Sequence, residues 1–230
     1  MDNMYDLLIR LSLFNGISHQ QLLEIVGNTK LNFLKFEQGE KFISAGEDAA
    51  GLRFILSGEA TIKFPLPGSQ INMEYTVGAP TALAPDYLFG LRTEYPFSAF
   101  AKSRLGILEI AKPDFIKLIK SDNILLFNFL NLLSMYSQKG KYSAAALATG
   151  NIETELSLII ATLTPPQAEE ITLMSREGKI TDAFGIDSAK LTKTLETMQR
   201  ESLLTFDDEK IIVTDRKKLG ERLLANAKKG

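Results

Sequence analysis

Residues Ser175–Lys218 read SREGKITDAFGIDSAKLTKTLETMQRESLLTFDDEKIIVTDRKK, and this stretch decides the fold. Ile180, Ala183 and Phe184 share one face of a short helical pattern, which Gly185 breaks where a turn residue tolerant of positive φ is needed. A second helix starts at once. Asp187 or Ser188 can cap it by accepting from a free backbone N–H, and Leu191, Leu195 and Met198 recur at helical spacing as its buried stripe. Ala189, Lys193, Thr197 and Arg200 lie opposite. Two β-prone runs, Leu203–Phe206 and Lys210–Thr214, flank the polar turn Asp207-Asp208-Glu209 and predict a hairpin wing. Short helix, glycine turn, amphipathic helix and hairpin, in that order, predict a winged helix-turn-helix and therefore DNA as partner. A small packing module would share the local signals, but it has no need of a polar, partly cationic face on the second helix.

Charge qualifies that expectation. The chain of 230 residues has a net charge of −2, and from Asn151 onward 12 Lys and Arg face 14 Asp and Glu. Such a balance predicts dependence on a specific site rather than a general electrostatic grip on DNA. At 45% hydrophobic and 23% charged, the composition is that of a globular protein, long enough for one large or two ordinary domains. No apolar run reaches bilayer length, the N-terminus MDNMYDLLIR lacks a signal-peptide pattern, and a cytoplasmic location is expected. The absence of cysteine excludes thiolate metal sites, cysteine-held iron–sulfur clusters and catalytic thiols. With one histidine, no phosphate-binding glycine loop and no HExxH pattern, no enzyme is expected.

Upstream, Ser18 and Gln21 form a capping box for an early helix that Gly27 should end. From Leu31 to about Ile110, short alternating runs are punctuated by turn signals such as Gln38-Gly39-Glu40 and Ser57-Gly58-Glu59, which predicts a β-rich domain closed as a barrel or double sheet. Pro113 opens a short amphipathic helix, and a longer one should run from about Asn123 to Thr149. This helix is apolar on nearly every side through Leu133 and then rich in small residues from Gly140 to Ala146, so it must be covered on two flanks. A twofold dimer through Phe129, Leu133, Tyr136 and Gly140 covers the second flank most simply; a helix wedged between two domains of one chain is the alternative. Gly150-Asn151 marks a hinge, and a helix over 152–163 opens the last domain. The expected division is 1–122 effector domain, 123–150 dimerisation helix and hinge, and 151–230 DNA-binding domain.

This order of parts resembles the Crp/Fnr family of bacterial transcription regulators. The resemblance rests on Phe36-Glu37-Gln38-Gly39-Glu40, on the run Ala45 to Ala60 with its I-x-x-G pattern at Ile55 and Gly58, and on the C-terminal motif. It implies an α+β fold: an N-terminal double-stranded β-helix (a jelly-roll-like β-roll resembling a cyclic-nucleotide-binding domain), a long dimerisation helix and the winged helix. It also implies a homodimer on an inverted-repeat operator, with RNA polymerase a further partner of an activator. DNA-contacting positions would be Arg176, Ser188, Ala189, Lys190, Thr192, Lys193, Thr197 and Arg200. Members that read guanine and cytosine through an arginine and a glutamate early in this helix differ here, where Ser188 and Ala189 stand.

The nucleotide site is where the sequence departs from that family. The Gly-Glu and Arg-Ser or Arg-Thr pairs of nucleotide-binding members are missing at the matching positions; the region Gly78–Gly90 is longer, Phe97 before Ser98 holds the place of the arginine, and Arg92, five residues earlier, would take it only by another path of the loop. Phenylalanine offers a cyclic phosphate no charge-assisted hydrogen bond, so an effector other than cyclic AMP is expected. Leu83, Tyr87, Phe89, Phe97, Ser98 and Phe100 would line a pocket for an apolar ligand or a flat cofactor, or simply fill the roll. Haem stays open as a cofactor; the lone His19, in the first turn of a helix, reads as a solvated residue rather than an axial ligand. The readings thus stand as a regulator with an unidentified effector, a haem-based gas sensor, or an effector module whose C-terminal domain contacts protein.

Overall fold

The computed structural model describes residues 4–66, 68–147 and 151–227, with side chains outside the description for 139–147 and 222–227. Its contacts divide the chain into two units, residues 1–60 with 78–138, and residues 61–77 with 139–230. The division differs from the expected limits because a hairpin from the β-rich half is grouped with the C-terminal residues.

In the first unit, α1 (Met4–Ile9) and α2 (His19–Asn28) precede the strands β1 (Asn32–Phe36), β2 (Lys41–Ile43), β3 (Gly51–Ser57), β6 (Thr81–Leu83), β7 (Ser98–Ala101) and β8 (Leu105–Ala111). The capping box at Ser18 and Gln21 forms as expected, but α2 passes through Gly27 and is capped at Thr29, whose N–H donates to the Ile25 carbonyl. Strands β1, β8, β3 and β6 make a four-stranded antiparallel sheet, and β2 pairs with β7. Alternate residues separate its two faces. Leu52, Phe54 and Leu56 with Leu108 and Ile110 pack against Leu8, Leu11, Phe14 and Leu22 and against α3 (Lys112–Ser121) and α4 (Asn123–Leu147). Arg53, Ile55, Ile107 and Glu109 point to the other face. The I-x-x-G glycine has a steric reason: Gly58 has φ +81°, and a Cβ there would overlap the Arg104 carbonyl oxygen.

One side of α4 is committed to this core. Leu125, Phe129 and Leu132 are buried, the Phe129 ring meeting Phe115 edge-on at 4.8 Å. Asn128 donates to the carbonyls of Leu13 and Asn15.

The second unit holds β4 (Glu59–Pro65) from Thr61 onward, β5 (Ile71–Gly78) to Val77, α5 (Ile152–Leu163), β9 (Glu169–Ser175), α6 (Ser188–Arg200), β10 (Leu204–Phe206), β11 (Lys210–Val213) and α7 (Arg216–Ala227). The strand order is β10-β11-β9-β5-β4. Asn151 caps α5, as its position before the apolar run requires, by accepting from Thr154 N–H. The expected first helix of the helix-turn-helix is a single turn over Ile180–Phe184, with Ala183 N–H donating to Lys179 and Gly185 N–H to Asp182. Gly178 and Gly185, at φ +67° and +66°, close this segment at both ends and leave no room for a longer helix.

Candidate nucleic-acid interface

Helix α6 is held by what it buries. Leu191, Leu195 and Met198 are fully enclosed, and Asp187 accepts from Lys190 N–H at 2.9 Å to cap its start. The opposite face carries Ala189, Lys190, Lys193, Gln199 and Arg200, all exposed. Neither Lys190 nor Lys193 is ion-paired with a described residue, whereas Arg200 lies 3.6 Å from Glu196. Beside the lysines, Ala189 presents only a methyl group.

The other expected contacts are already engaged to different degrees. Ser188 Oγ donates to Asp182 Oδ1 at 2.6 Å. Thr192 and Thr197 return their hydroxyls to the carbonyls of Ser188 and Lys193 at 2.8 and 3.0 Å, so each must rotate before donating to a phosphate. Arg176 is exposed, and its Nε donates to Asn72 Oδ1 at 2.8 Å. The basic run after the wing splits. Arg216 turns inward, while Lys217 pairs loosely with Glu221 at 3.9 Å and Lys218 Nζ donates to the Glu201 carbonyl at 2.8 Å.

The wing forms as the sequence suggests, with Leu204 opposite Val213 and Phe206 opposite Ile211. Asp207 pins its turn by accepting from the N–H groups of Glu209 and Lys210, both at 2.9 Å. These two donors hold its carboxyl below the ordinary carboxylate range. A carboxylate lowered in the folded state contributes fully at neutral pH and loses its contribution as pH falls through the folded value. Acid titration followed by amide NMR is therefore expected to loosen Glu209 and Lys210 below the usual carboxylate range. Asp207→Ala should abolish that step and leave α6 unchanged.

Of the residues expected to line an effector pocket, Leu83 and Phe89 fall on opposite sides of the four-stranded sheet. Leu83 is buried opposite Arg53 in the sheet register. Tyr87 is half-buried in a short 3-10 turn. Phe89 lies in the helix-packed core, its ring 6.0 Å from Phe129 and 6.4 Å from Phe115. Phe97 is buried against Tyr95 at 5.7 Å, Ser98 Oγ accepts from Ala45 N–H, and Phe100 lies under the Lys41 ammonium. An open cleft of about 160 Å³ lies elsewhere, beside Arg10, Asn15, Phe54 and Pro80. Sequence reading also missed a polar cluster around Arg53. Its Nε donates to Glu109 at 2.7 Å, Nη1 to the Phe42 carbonyl at 3.0 Å and Nη2 to Glu47 at 3.5 Å, with the buried Tyr95 ring 5.8 Å away. Burial, moderated by Arg53, pushes the Tyr95 phenol up to about 12. Two carboxylates thus neutralise Arg53. The signal was Arg53 and Glu109 at inward-facing strand positions.

Phe129 is only 3% exposed and belongs to the core, Leu133 packs partly against it, and Tyr136 is half-buried with a phenol raised to about 12, first by burial and then by Asp86. Gly140 lies on α4 with its surroundings outside the description, and the hinge at Gly150 lies outside the described residues. The exposed apolar face of α4 is carried instead by Ile124, Phe127, Leu130 and Met135. Physically, a helix apolar all round does not reveal which stripe faces inward. His19 is exposed at the start of α2, its ring 5.5 Å from Tyr5. Among the described residues, no group of three or more His, Cys, Asp or Glu is placed to hold a metal, and no helix is long and apolar enough to cross a membrane.

Strand roll, long helix and winged C-terminal motif together are the fold of Crp/Fnr-type transcription regulators. The catabolite activator protein of Thermus thermophilus is similar over 93% of this chain and 99% of its own, at 15% identity and a TM-score of 0.53. A protein from Eubacterium rectale described as a crp/fnr-family transcriptional regulator is similar over 93% of this chain and 97% of its own, at 16% identity and a TM-score of 0.52. No protein-family model and no curated protein sequence matches the chain.

Proposed function

We propose that this protein is a dimeric, sequence-specific DNA-binding transcription regulator that responds to an effector other than cyclic AMP. The observation that carries the reading is α6: a fully buried apolar stripe holds up an exposed face of Ala189, Lys190 and Lys193 with no ion pair to a described residue, within a fold shared with Crp/Fnr-type regulators. In a dimer, two such helices would enter successive major grooves about one helical turn apart. Lys193, near the middle of the exposed face, donates to base edges, and Lys190 neutralises phosphate charge. The dimer contact is the outer face of α4, through Phe127, Leu130 and Met135. Neutralisation of Arg53 by Glu109 and Glu47, with Phe97 in place of an arginine, supports an effector that is not a cyclic phosphate.

Lys193→Ala is expected to weaken binding to a cognate operator by about 1–3 kcal/mol and to relax one base position, whereas Lys190→Ala should weaken all sequences alike and flatten the salt dependence by about one ion. Titration of both variants against operator and mutated operator at low and high salt measures the difference. An unchanged operator profile for Lys193→Ala would remove its proposed role.

A further inference from the structure

We propose that the pairing of β5 with β9 is a releasable clasp that lowers the DNA affinity of the winged helix while closed; the proposal rests on the DNA-binding reading above. On its own the winged-helix sheet would end at β9, leaving an open edge. Strand β5 covers that edge, with Ile71 opposite Ser175, Asn72 opposite Met174, Met73 opposite Leu173 and Glu74 opposite Thr172. The register then shifts before Thr76, which pairs with Glu169.

Both ends of this short ladder are fastened by side chains. At the shifted end, Thr76 Oγ1 donates to Glu170 Oε2 at 2.8 Å, while the Glu170 backbone sits at φ +51°, a left-handed conformation that a side chain such as glutamate rarely adopts. At the other end, Arg176 N–H donates to the Gln70 carbonyl and Arg176 Nε to Asn72 Oδ1, both at 2.8 Å. Opening would relax Glu170 and return Arg176 Nε to phosphate; closure occupies that donor. Arg176 also leads directly into the turn before α6, whose Ile180 N–H is held by the Asp208 carbonyl of the wing. The hairpin can transmit a signal because it is covalently continuous with the first unit at both ends, through Ala60-Thr61 and Val77-Gly78. A change in those strands therefore pulls on β5 through two peptide bonds, and the competition for Arg176 turns that pull into a change at the DNA-facing surface.

The absence of cysteine makes a clean lock available. Glu74 and Thr172 are direct antiparallel partners, at the separation a disulfide spans, so Glu74→Cys with Thr172→Cys should be closable by oxidation while Asn72 and Arg176 stay in place. The full-length variant, oxidised and then reduced, is titrated with a selected operator duplex, and amide exchange is followed on the unmodified protein. The clasp predicts at least tenfold tighter operator binding by the reduced form than by the oxidised form, and exchange of the amides joining β5 to β9 ahead of those joining β10 to β11. Equal or tighter binding by the oxidised form would overturn it. If the unmodified protein and both forms of the variant bind no DNA, the DNA-binding reading fails, and exchange alone decides the clasp: β9 opening only with global unfolding would show a permanent sheet edge.

Discussion

A chain carrying Phe127→Asp together with Leu130→Asp is expected to be monomeric and to lose operator affinity by at least ~100-fold. Phe127 is 61% exposed and Leu130 44%, on the side of α4 opposite Leu125, Phe129 and Leu132. In an isologous contact each residue is used twice, so four large side chains leave water. Full burial of a Leu or Phe is worth about 1.5–3 kcal/mol, and with about half of each side chain still exposed the four would supply on the order of 3–6 kcal/mol before the costs of association. Four carboxylates in their place would remove that and add repulsion. Operator affinity falls with the dimer, because each half-site then loses the effective concentration provided by its linked partner. Sedimentation equilibrium beside operator titration checks both parts. A variant still dimeric would place the contact elsewhere.

Arg216→Ala is expected to lower the unfolding free energy by about 3 kcal/mol. Arg216 opens α7 and folds back over the end of α5, where Nε donates to Thr164 Oγ1 at 2.9 Å and Nη2 to the carbonyls of Thr164 and Ala161 at 2.8 and 3.3 Å. It therefore satisfies carbonyls that the helix end leaves without intrahelical partners, and its positive charge faces the negative end of α5. Burial lowers its pKa from the usual guanidinium value, which marks the desolvation that these hydrogen bonds must offset. Arg216→Lys keeps the charge but loses the planar fork, so it should recover only part of the loss. Denaturant unfolding of both variants measures the effect. A cost under about 1 kcal/mol for alanine would show that water replaces the cap.

These predictions follow different routes from the sequence. The wing, the buried stripe of α6 and the start of α5 were legible because period and cap agree locally: Asp187 and Asn151 precede apolar runs, and Asp207-Asp208-Glu209 separates two β-prone segments. Strand β9 was not. Its partner β5 lies roughly a hundred residues away, and such pairing leaves no local signal beyond the alternation of Ile171 and Leu173. Helix α7 was hidden behind Arg216-Lys217-Lys218, which reads as a basic patch until Arg216 is seen turning inward. Among the candidate site residues, α6 exposes Lys190 and Lys193 as a cationic face should, whereas Phe89, expected at an effector pocket, and Phe129, expected at a dimer contact, lie against and in the core. Aromatic content records that a ring will be covered, but not by what.

Selection of DNA from a random pool by the intact protein, followed by footprinting of the enriched duplex, tests the central claim most directly. A dimer protecting an inverted repeat, with half-site centres about 10–11 base pairs apart, is the predicted result. Enrichment of no sequence at low salt, or protection of a lone asymmetric half-site by one copy of the chain, would contradict it.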